Sequence, residues 1–499
     1  MAEDLVGAVD ALLGRAAAQA RTPEVRAGLE QARARLNGPL RLAIAGKVKA
    51  GKSTLLNALL GEELAPTDAG ECTKIVTWYA EGPQRRVEVH PREGEPVLRP
   101  WSREEGALDV DLGTMTAADV DHLEVTWPTS RLRRLTLLDT PGIASISADI
   151  SDRTHRVLSA EDGRVPVADA VLYLMRHTHA SDVRFLESFH DDELAHGTPM
   201  NSVGVLSRAD EVGSCRLDAM AVADRIARRY ESDPRLRRLC PVIVPVDGLL
   251  AHTASTLREA EFALLRTLAA GPVADTAEML LTVDRFVSRP HPALTELERQ
   301  HLLSRFGLFG VRLAVDLLRS GQVSTSSELA DELAARSGLL RLKSVVQQQF
   351  EQRSRVLRAR SALTVLTEVL RADGCTDGGR ISAEAEQITA TTHEFEEVRL
   401  LGALRAGQLE LSPTRMTQLD QLLGGSGHDP GSRLGLPDGA TPDEVRVAAL
   451  AALEQWQRVA EHPLSGRAVQ TAARTARRTL EGIIAAQAAR AEAAPGPIG

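Results

Sequence analysis

A segment near the start of the chain has the residue types and spacing of a phosphate-binding loop. Residues 46–53 read Gly-Lys-Val-Lys-Ala-Gly-Lys-Ser, a complete G-x-x-x-x-G-K-[ST] pattern. Gly46 and Gly51 allow the backbone to curl until its N–H groups face phosphate oxygens. We expect Lys52 to reach the β- and γ-phosphates and the Ser53 hydroxyl to ligate Mg²⁺. The segment therefore predicts a nucleotide site rather than a chance glycine turn.

The residues around this segment provide the setting that a phosphate loop requires. An apolar run at 41–45 predicts a buried strand that ends at the loop, and residues 54–60 have helical spacing. The helix begins at the loop, so its positive end faces the phosphates. The expected nucleotide contacts here are Gly46, Lys47, Val48, Lys49, Ala50, Gly51, Lys52, Ser53 and Thr54.

A second polar tetrapeptide, Asp-Thr-Pro-Gly at 139–142, follows another apolar run. Residues 135–139 predict a strand that delivers Asp139 to the carboxyl edge of a sheet, where ligands bind in open α/β folds. We expect Asp139 to hold Mg²⁺ through water. We also expect the Gly142 N–H to meet the γ-phosphate and so respond to hydrolysis. The alternative is an ordinary strand-to-turn ending.

The polar, turn-rich stretch 64–76 lies between these two motifs. A threonine in it can give its hydroxyl to Mg²⁺ and its carbonyl to the attacking water. We choose Thr73 because a strand is predicted to start directly after it, and we keep Thr67 as the alternative. Either residue could instead be only a turn or strand-start residue.

A later strand-like run ends in Ser207-Arg-Ala-Asp210, which predicts a base-reading element. Asp210 can accept hydrogen bonds from guanine N1 and N2, a pairing that adenine cannot make. The Arg208 side chain can stack on the base. The alternative role for Asp210 is to cap the following helix. A final base loop is expected at Val246 and Asp247.

Composition narrows the class of protein. The 499-residue chain carries a formal net charge of −9, which argues against a general affinity for nucleic acid. No apolar run approaches the roughly 20 residues that span a bilayer. The N-terminal Met-Ala-Glu-Asp-Leu lacks the basic region of a signal peptide, and the 4 cysteines have no metal-ligand spacing. We therefore expect a cytoplasmic protein.

Strand and helix patterns alternate in the first half of the chain and predict a three-layer α/β sheet. The candidate strands are 41–45, 74–80, 85–90, 122–127, 135–139, 169–175, 202–207 and 242–246, and the candidate helices are 53–60, 180–190 and 216–232. After about residue 255 only long amphipathic helices are predicted. They are 255–270, 296–319, 327–336, 339–372, 382–406, 412–423, 442–461 and 464–492.

These patterns predict an α/β P-loop GTPase domain joined to an all-α helical bundle. N-terminal helices at 1–40 precede the first strand, so they must pack outside the sheet; the family resemblance given below implies that they pack on the bundle, which forms a neck and trunk. The nucleotide domain would span 41–270, the bundle 271–492, and a disordered tail 493–499.

Several segments resemble bacterial dynamin-like GTPases, above all the actinobacterial branch that includes the isoniazid-inducible dynamin-like proteins of mycobacteria. Besides the three nucleotide motifs, they are Ala65-Pro-Thr-Asp-Ala, Cys72-Thr-Lys-Ile-Val-Thr-Trp, Arg305-Phe-Gly-Leu-Phe-Gly and Gly435-Leu-Pro-Asp-Gly-Ala-Thr. The likeness covers nearly the whole chain. Two positions depart from the usual GTPase pattern, because arginine replaces lysine at Arg208 and aspartate replaces serine at Asp247.

The resemblance implies a protein that binds and hydrolyses GTP with Mg²⁺, dimerises through its heads and works peripherally on membranes. It also implies a homo-oligomer or a pair with a second dynamin-like subunit. Such proteins use no separate activating partner, so a cation must come from within. Lys49 occupies the position where guanylate-binding proteins carry an arginine in cis, and could offset charge between the β- and γ-phosphates. The alternative is a solvated surface lysine.

Two segments are candidates for lipid contact. One is the loop 424–440, if it exposes Arg433, Leu434 and Leu436 between two helices, and the other is the pair Phe306 and Phe309. The alternatives are a bundle turn and core packing. Two rival functions stay open: a regulatory switch that acts on a protein partner without lipid, and a scaffold that binds nucleotide without turning it over.

Overall fold

The computed structural model describes residues 5–65, 75–104, 107–141, 168–176, 183, 186, 201–425, 427–437, 439–463 and 465–493. Within them, strands occupy the first half and helices the second. The strands are β1 (Leu40–Gly46), β2 (Val76–Glu81), β3 (Arg86–Pro91), β4 (Val97–Leu98), β5 (Trp101–Glu104), β6 (Ala107–Val110), β7 (Val120–Trp127), β8 (Leu135–Asp139), β9 (Ala170–Met175), β10 (Ser202–Ser207) and β11 (Ile243–Val246).

Nine of these strands form one mixed sheet, in the order β11-β10-β9-β1-β8-β2-β7-β3-β4. Strands β8, β1, β9, β10 and β11 run parallel, whereas β2 is antiparallel to β8. The parallel strands are almost continuously apolar because both of their faces are buried. The eight predicted strands are present. The short β4, β5 and β6 were missed because two to four residues carry too little alternation to detect.

The described helices begin before the sheet and dominate after it. They are Leu5–Ala18, Pro23–Leu36, Lys52–Leu60, Ala219–Ser232, Pro234–Leu239, Gly248–Ser255, Glu259–Ala270, Val273–Met279, Val283–Ser288, Glu296–Arg319, Ser326–Arg336, Leu339–Val346, Ser354–Arg371, Gly378–Thr391, His393–Arg405, Pro413–Leu422, Pro430–Arg433, Pro442–Glu461 and Arg467–Ala493. None of the described helices contains a stretch that is both long and apolar enough to cross a bilayer. The fold class expected from the sequence is confirmed.

Three helices expected to be continuous are broken, one of them 296–319, which is interrupted at Gly307. The segment 339–372 contains a π-helical turn at Gln347–Glu351, followed by buried Arg353. The Arg353 guanidinium donates to Gln349 Oε1 at 2.8 Å and to the Gly424 carbonyl at 2.9 Å, so a buried charge is satisfied at the irregular turn. The segment 382–406 is interrupted at Thr392, whose ψ of 123° is extended.

Residue 270, the predicted end of the nucleotide domain, does not separate two cores, because residues from both sides of it share buried clusters. The first helix, Leu5–Ala18, packs against Ser354–Arg371 and Gly378–Thr391. Helices between 248 and 336 share a core, and Leu339, Leu342 and further apolar residues up to Leu357 bury themselves with the sheet. A separate core unites the helices beyond Leu400. The domain boundaries themselves stay predictions.

Candidate nucleotide site

The loop at the end of β1 adopts a backbone that depends on glycine. Gly46 has φ of 151°, and a Cβ there would lie 2.6 Å from the Leu174 carbonyl oxygen on the neighbouring strand. Gly51 has φ of 89° and directly precedes the helix that starts at Lys52. Between them, Lys49 is left-handed with φ of 61° and exposed, and Val48 is 51% exposed. The loop thus meets the helix as a phosphate loop must.

Lys52 lies across this loop. Its Nζ donates to the carbonyl oxygens of Gly46 at 3.2 Å and Lys47 at 3.3 Å. Burial lowers the pKa of Lys52, and the Asp139 carboxylate acts in the opposite direction. The ammonium group is therefore held inside the loop curl, where an anion would be its strongest partner.

Ser53 and Asp139 come together from different elements. The Ser53 hydroxyl, in the first turn of the helix, donates to Asp139 Oδ2 at 3.0 Å. Burial raises the pKa of Asp139, while Lys52 and the Ser53 hydrogen bond lower it. A hydroxyl and a carboxylate at a phosphate loop are the hard oxygen donors that Mg²⁺ takes alongside water and phosphate. The residues present therefore fit a Mg²⁺ site.

The chain leaving Asp139 is anchored to β1. The Thr140 hydroxyl donates to the Ile44 carbonyl at 2.8 Å, and Thr140 is buried. This bond fixes where the Asp-Thr-Pro-Gly segment departs from the sheet. Gly142, Thr67 and Thr73 lie outside the described residues, so their predicted roles stay predictions.

Asn57 in the loop helix ties down the segment that leads to Thr67 and Thr73. Its side chain accepts from the Leu64 and Ala65 N–H groups at 2.9 and 2.7 Å and donates to the Ala65 carbonyl at 2.9 Å. The side chain is fully buried. The sequence alone did not single out Asn57, because a polar residue in an amphipathic helix carries no signal of a distant partner.

Replacing Asn57 by alanine is expected to leave these buried backbone groups without hydrogen-bond partners. This should lower the free energy of unfolding by about 2–4 kcal/mol. Thermal unfolding should then begin roughly 4–16 °C lower for a head of this size. Calorimetry checks this against Asn37→Ala, which removes an exposed asparagine at a helix end. Equal melting temperatures for the two variants would contradict the tether.

A cavity of about 190 Å³ lies beside the phosphate loop at the carboxyl edge of the sheet. It brings together most of the predicted base-reading residues with apolar residues from several strands and helices. It is lined by Ala50, Gly51, Thr54, Leu55, Leu174, Val205, Ser207, Arg208, Asp210, Glu211, Val246, Asp247, Gly248 and Leu249. The apolar members Leu55, Leu174, Val205 and Leu249 were not predicted, because their strand and helix positions are indistinguishable from core positions in the sequence.

Two carboxylates with raised pKa values lie among the polar residues of this cavity. Burial, and then the charge of Glu211, raise the pKa of Asp210 to about 6. Burial and the charge of Asp210 raise the pKa of Asp247 well above its usual range. Asp247 also accepts from the Leu250 N–H at 2.9 Å and so caps the helix Gly248–Ser255. Asp247 is therefore engaged by the helix that it caps.

Arg208 has a partner that the sequence did not predict. It is left-handed with φ of 53°, and its Nη1 donates to Glu211 Oε1 at 2.8 Å. Glu211 also accepts from Arg176 Nη2 at 3.0 Å. The guanidinium is thus held at the cavity rim by an ion pair. Ser207 Oγ contacts the Met175 carbonyl at 3.4 Å, so it supports the loop from the sheet.

A kinked helix supports the base-reading side of the cavity. Helix Glu296–Arg319 is interrupted at Gly307, which has φ of 64°. A Cβ at Gly307 would lie 3.9 Å from Asp210 Oδ2 and 3.6 Å from a methyl group of Leu249. Near the kink, the Thr253 hydroxyl donates a hydrogen bond to the Arg305 carbonyl oxygen. The kink therefore lies beside the predicted guanine contact, with little more room between them than one methyl group would fill.

The two candidate lipid segments are packed. Phe306 and Phe309 are 1% and 2% exposed and belong to a core. In the loop 424–440, Arg433 Nη2 pairs with Glu397 Oε1 at 2.5 Å, and Leu434 and Leu436 pack half-buried against the distal helical core. Core packing, the alternative given for Phe306 and Phe309, is confirmed. The exposure expected of Arg433, Leu434 and Leu436 is wrong, since the loop packs against the distal helical core.

Comparison with known proteins finds relatives of this chain. The Dynamin family model matches residues 42–203. Isoniazid-induced protein IniC of Mycobacterium tuberculosis is 42% identical over 463 residues, which cover 93% of each chain. The bacterial dynamin-like protein of Nostoc punctiforme is 25% identical over 301 residues, 56% of this chain and 41% of that protein.

A solved structure of an oligomerised bacterial dynamin pair is 15% identical and covers 84% of this chain and 78% of that one, with a TM-score of 0.30. The near full-length identity to IniC carries the assignment and confirms the resemblance drawn from the motifs. The chain belongs to the dynamin family, whose members are GTPases, in the actinobacterial branch that contains IniC.

Proposed function

We propose that this protein binds and hydrolyses GTP with Mg²⁺ and couples the cycle to dimerisation of its heads and peripheral membrane binding. The observation that carries the proposal is the convergence of Lys52, Ser53 and Asp139 beside a cavity that contains Asp210. One group of residues suits phosphate and Mg²⁺, and the other suits a base. Family membership supports hydrolysis over storage of the nucleotide.

Phosphoryl transfer requires positioning and charge rather than covalent participation by the protein. Lys52 would exchange its two loop carbonyls for phosphate oxygens. The Ser53 hydroxyl and the Asp139 carboxylate would hold Mg²⁺, which supplies charge neutralisation at the phosphates when bound. We propose that Thr73 orients the attacking water and that Gly142 meets the γ-phosphate. No side-chain base is required.

Lys49 is proposed as the cation that offsets charge between the β- and γ-phosphates. Its support is its exposed, left-handed position at the outer turn of the phosphate loop. A head dimer would enclose that turn and lower the local dielectric, which strengthens such a charge. Steady-state phosphate release from GTP tests the function as a whole. Release at the rate of a protein-free blank would overturn hydrolysis and favour the scaffold.

The raised pKa of Asp210 predicts that base selectivity depends on pH. Only the ionised carboxylate accepts from both guanine N1–H and N2–H, and ionisation is lost as pH falls through about 6. The Asp210 carboxylate gains one proton over this range, and its ionised fraction falls about tenfold from pH 7 to pH 5. The ratio of GTP affinity to ATP affinity should therefore fall about tenfold as well.

Fluorescence titrations with both nucleotides at each pH check this, because protonation of the phosphates cancels in the ratio. A ratio that stays constant down to pH 5 would show that Asp210 titrates at its ordinary value or does not read the base.

Membrane binding is the part of the proposal that rests on the family alone. We expect the protein to sediment with anionic liposomes in the presence of a non-hydrolysable GTP analogue and to stay in the supernatant without lipid. GDP and neutral liposomes are the controls. Absence of sedimentation under every condition would favour the rival switch, in which a protein partner such as a second dynamin-like subunit contacts the membrane.

A further inference from the structure

Two histidines and a glutamate form a cluster on the sheet, apart from the nucleotide loop. His90 on β3 lies directly opposite His122 on β7, and Glu124 follows two residues later on β7. Alternation along a strand places His122 and Glu124 on the same face. One possible ligand atom from each of the three side chains lies within 4.8 Å of the others.

The distances within this cluster suit an ion better than a hydrogen bond. His90 Nε2 lies 3.6 Å from Glu124 Oε2, beyond hydrogen-bonding range. Tetrahedral zinc with bonds of 2.0–2.1 Å separates its ligand atoms by about 3.4 Å. Among the residues that the structure describes, nothing provides a hydrogen bond to His90 Nε2, although the atom is buried. A buried, unsatisfied imidazole nitrogen beside a carboxylate needs a further partner.

A second layer of side chains orients the histidines. His122 Nδ1 lies 2.9 Å from Asp121 Oδ2, which leaves the Nε2 lone pair for a ligand. This carboxylate–histidine arrangement recurs behind metal-bound imidazoles. Trp78 stacks on His122 with ring centroids 4.0 Å apart, and His122 stacks on His90 at 4.2 Å. The two imidazoles thus stand face to face, and one ring must tilt out of the stack for both to bind a single ion.

Three carboxylates lie around the two imidazoles. Glu124 Oε2 lies 3.6 Å from His90 Nε2, and Asp121 Oδ2 lies 2.9 Å from His122 Nδ1. Glu88, two residues before His90 on β3, pairs with Arg86 at 3.2 Å. Carboxylate oxygens beside imidazole nitrogens are a donor set that binds a divalent cation.

We propose that His90, His122 and Glu124 bind one divalent transition-metal ion, Zn²⁺ as the first choice, with Asp121 orienting His122. Two imidazoles and one carboxylate suit zinc and its neighbours, whereas Mg²⁺ prefers oxygen ligands alone. Binding would draw the three ligand atoms together, cross-link β3 to β7, and leave a fourth position for water. The ion is separate from the Mg²⁺ proposed at Ser53.

The site also has a route to the nucleotide. His122 pairs in register with Val76, the first residue of β2, and the next residue, Thr77, pairs with Asp139 on β8. Two strand spacings, about 10 Å, separate β7 from β8. An ion that cross-links β3 to β7 would therefore stiffen the strand next to β2. Strand β2 in turn pairs with Asp139 and follows the segment that contains Thr73.

The test is a calorimetric titration of Zn²⁺ into the untagged, chelator-treated full chain, with GDP and excess Mg²⁺ present to occupy the nucleotide site. We expect one equivalent to bind, and Co²⁺ to give the visible absorption of a tetrahedral site. His90→Phe and His122→Phe retain a stacking ring but lose the ligand atom, so both should abolish binding without loss of melting temperature. Asp121→Asn should weaken it about 10–100-fold.

His462→Ala is the matched control, since it removes an exposed histidine at the end of a distant helix. It should bind Zn²⁺ as the unmodified chain does. Absence of stoichiometric binding to the unmodified chain would overturn the proposal. So would unchanged binding by both phenylalanine variants, which would leave the cluster as a stacked aromatic ladder that only stabilises the sheet.

Discussion

Lys52→Ala is expected to lower GTP affinity by about 10²-fold or more and to reduce phosphate release to the blank. The Nζ group is half-enclosed by the loop, and its two carbonyl partners show that its position is set before nucleotide arrives. A preorganised cation in a partly desolvated site contributes far more than one in water. Losing it removes the main charge opposite the phosphates.

The measurement is equilibrium binding of a fluorescent GTP analogue, followed by steady-state phosphate release. Lys343→Ala is the matched control, since it removes one lysine charge at a half-buried site near Arg131. Lys52→Arg is not expected to rescue binding, because the longer planar guanidinium does not fit the loop curl. Unchanged affinity in Lys52→Ala, with an unchanged melting temperature, would mean that the nucleotide binds elsewhere.

Asp210→Asn is expected to move base preference from guanine to xanthine. The carboxylate accepts from two guanine donors, whereas an asparagine amide offers one acceptor and one donor, the pattern that xanthine completes. A site that leaves a buried hydrogen-bonding group unpaired rejects its ligand strongly. We expect about 10²–10³-fold weaker GTP binding and a corresponding gain for xanthosine triphosphate.

Competition titrations with the two triphosphates measure this change. Glu211→Gln is the matched control, because it neutralises the adjacent carboxylate, which pairs with Arg208 and Arg176 at the rim. That variant should keep its preference for guanine. If Asp210→Asn retains GTP affinity and gains none for the xanthine nucleotide, Asp210 serves only its local turn.

The motifs of this chain were readable because they are local. The phosphate loop needs glycine at two backbone positions, a lysine and a hydroxyl at adjacent positions, and a strand and helix on either side, all within about twenty residues. The same holds for the strands and helices themselves, whose periodicity predicted the α/β fold and the helical second half. Helix Pro442–Glu461 was predicted with both of its ends, because its capping box and proline are local signals.

What the sequence by itself determined is therefore the fold class, the longer elements and the family; the phosphate chemistry is its prediction. Only the tertiary structure decided which distant residues come together: Ser53 with Asp139, Asn57 with the chain at Leu64, and the kink at Gly307 beside Asp210. It also decided that Arg433 pairs inside the bundle and that His90 faces His122. The physical reason is that propensity and periodicity act over a few residues. Such pairings instead follow from strand order and helix packing, which depend on burial summed over the whole chain.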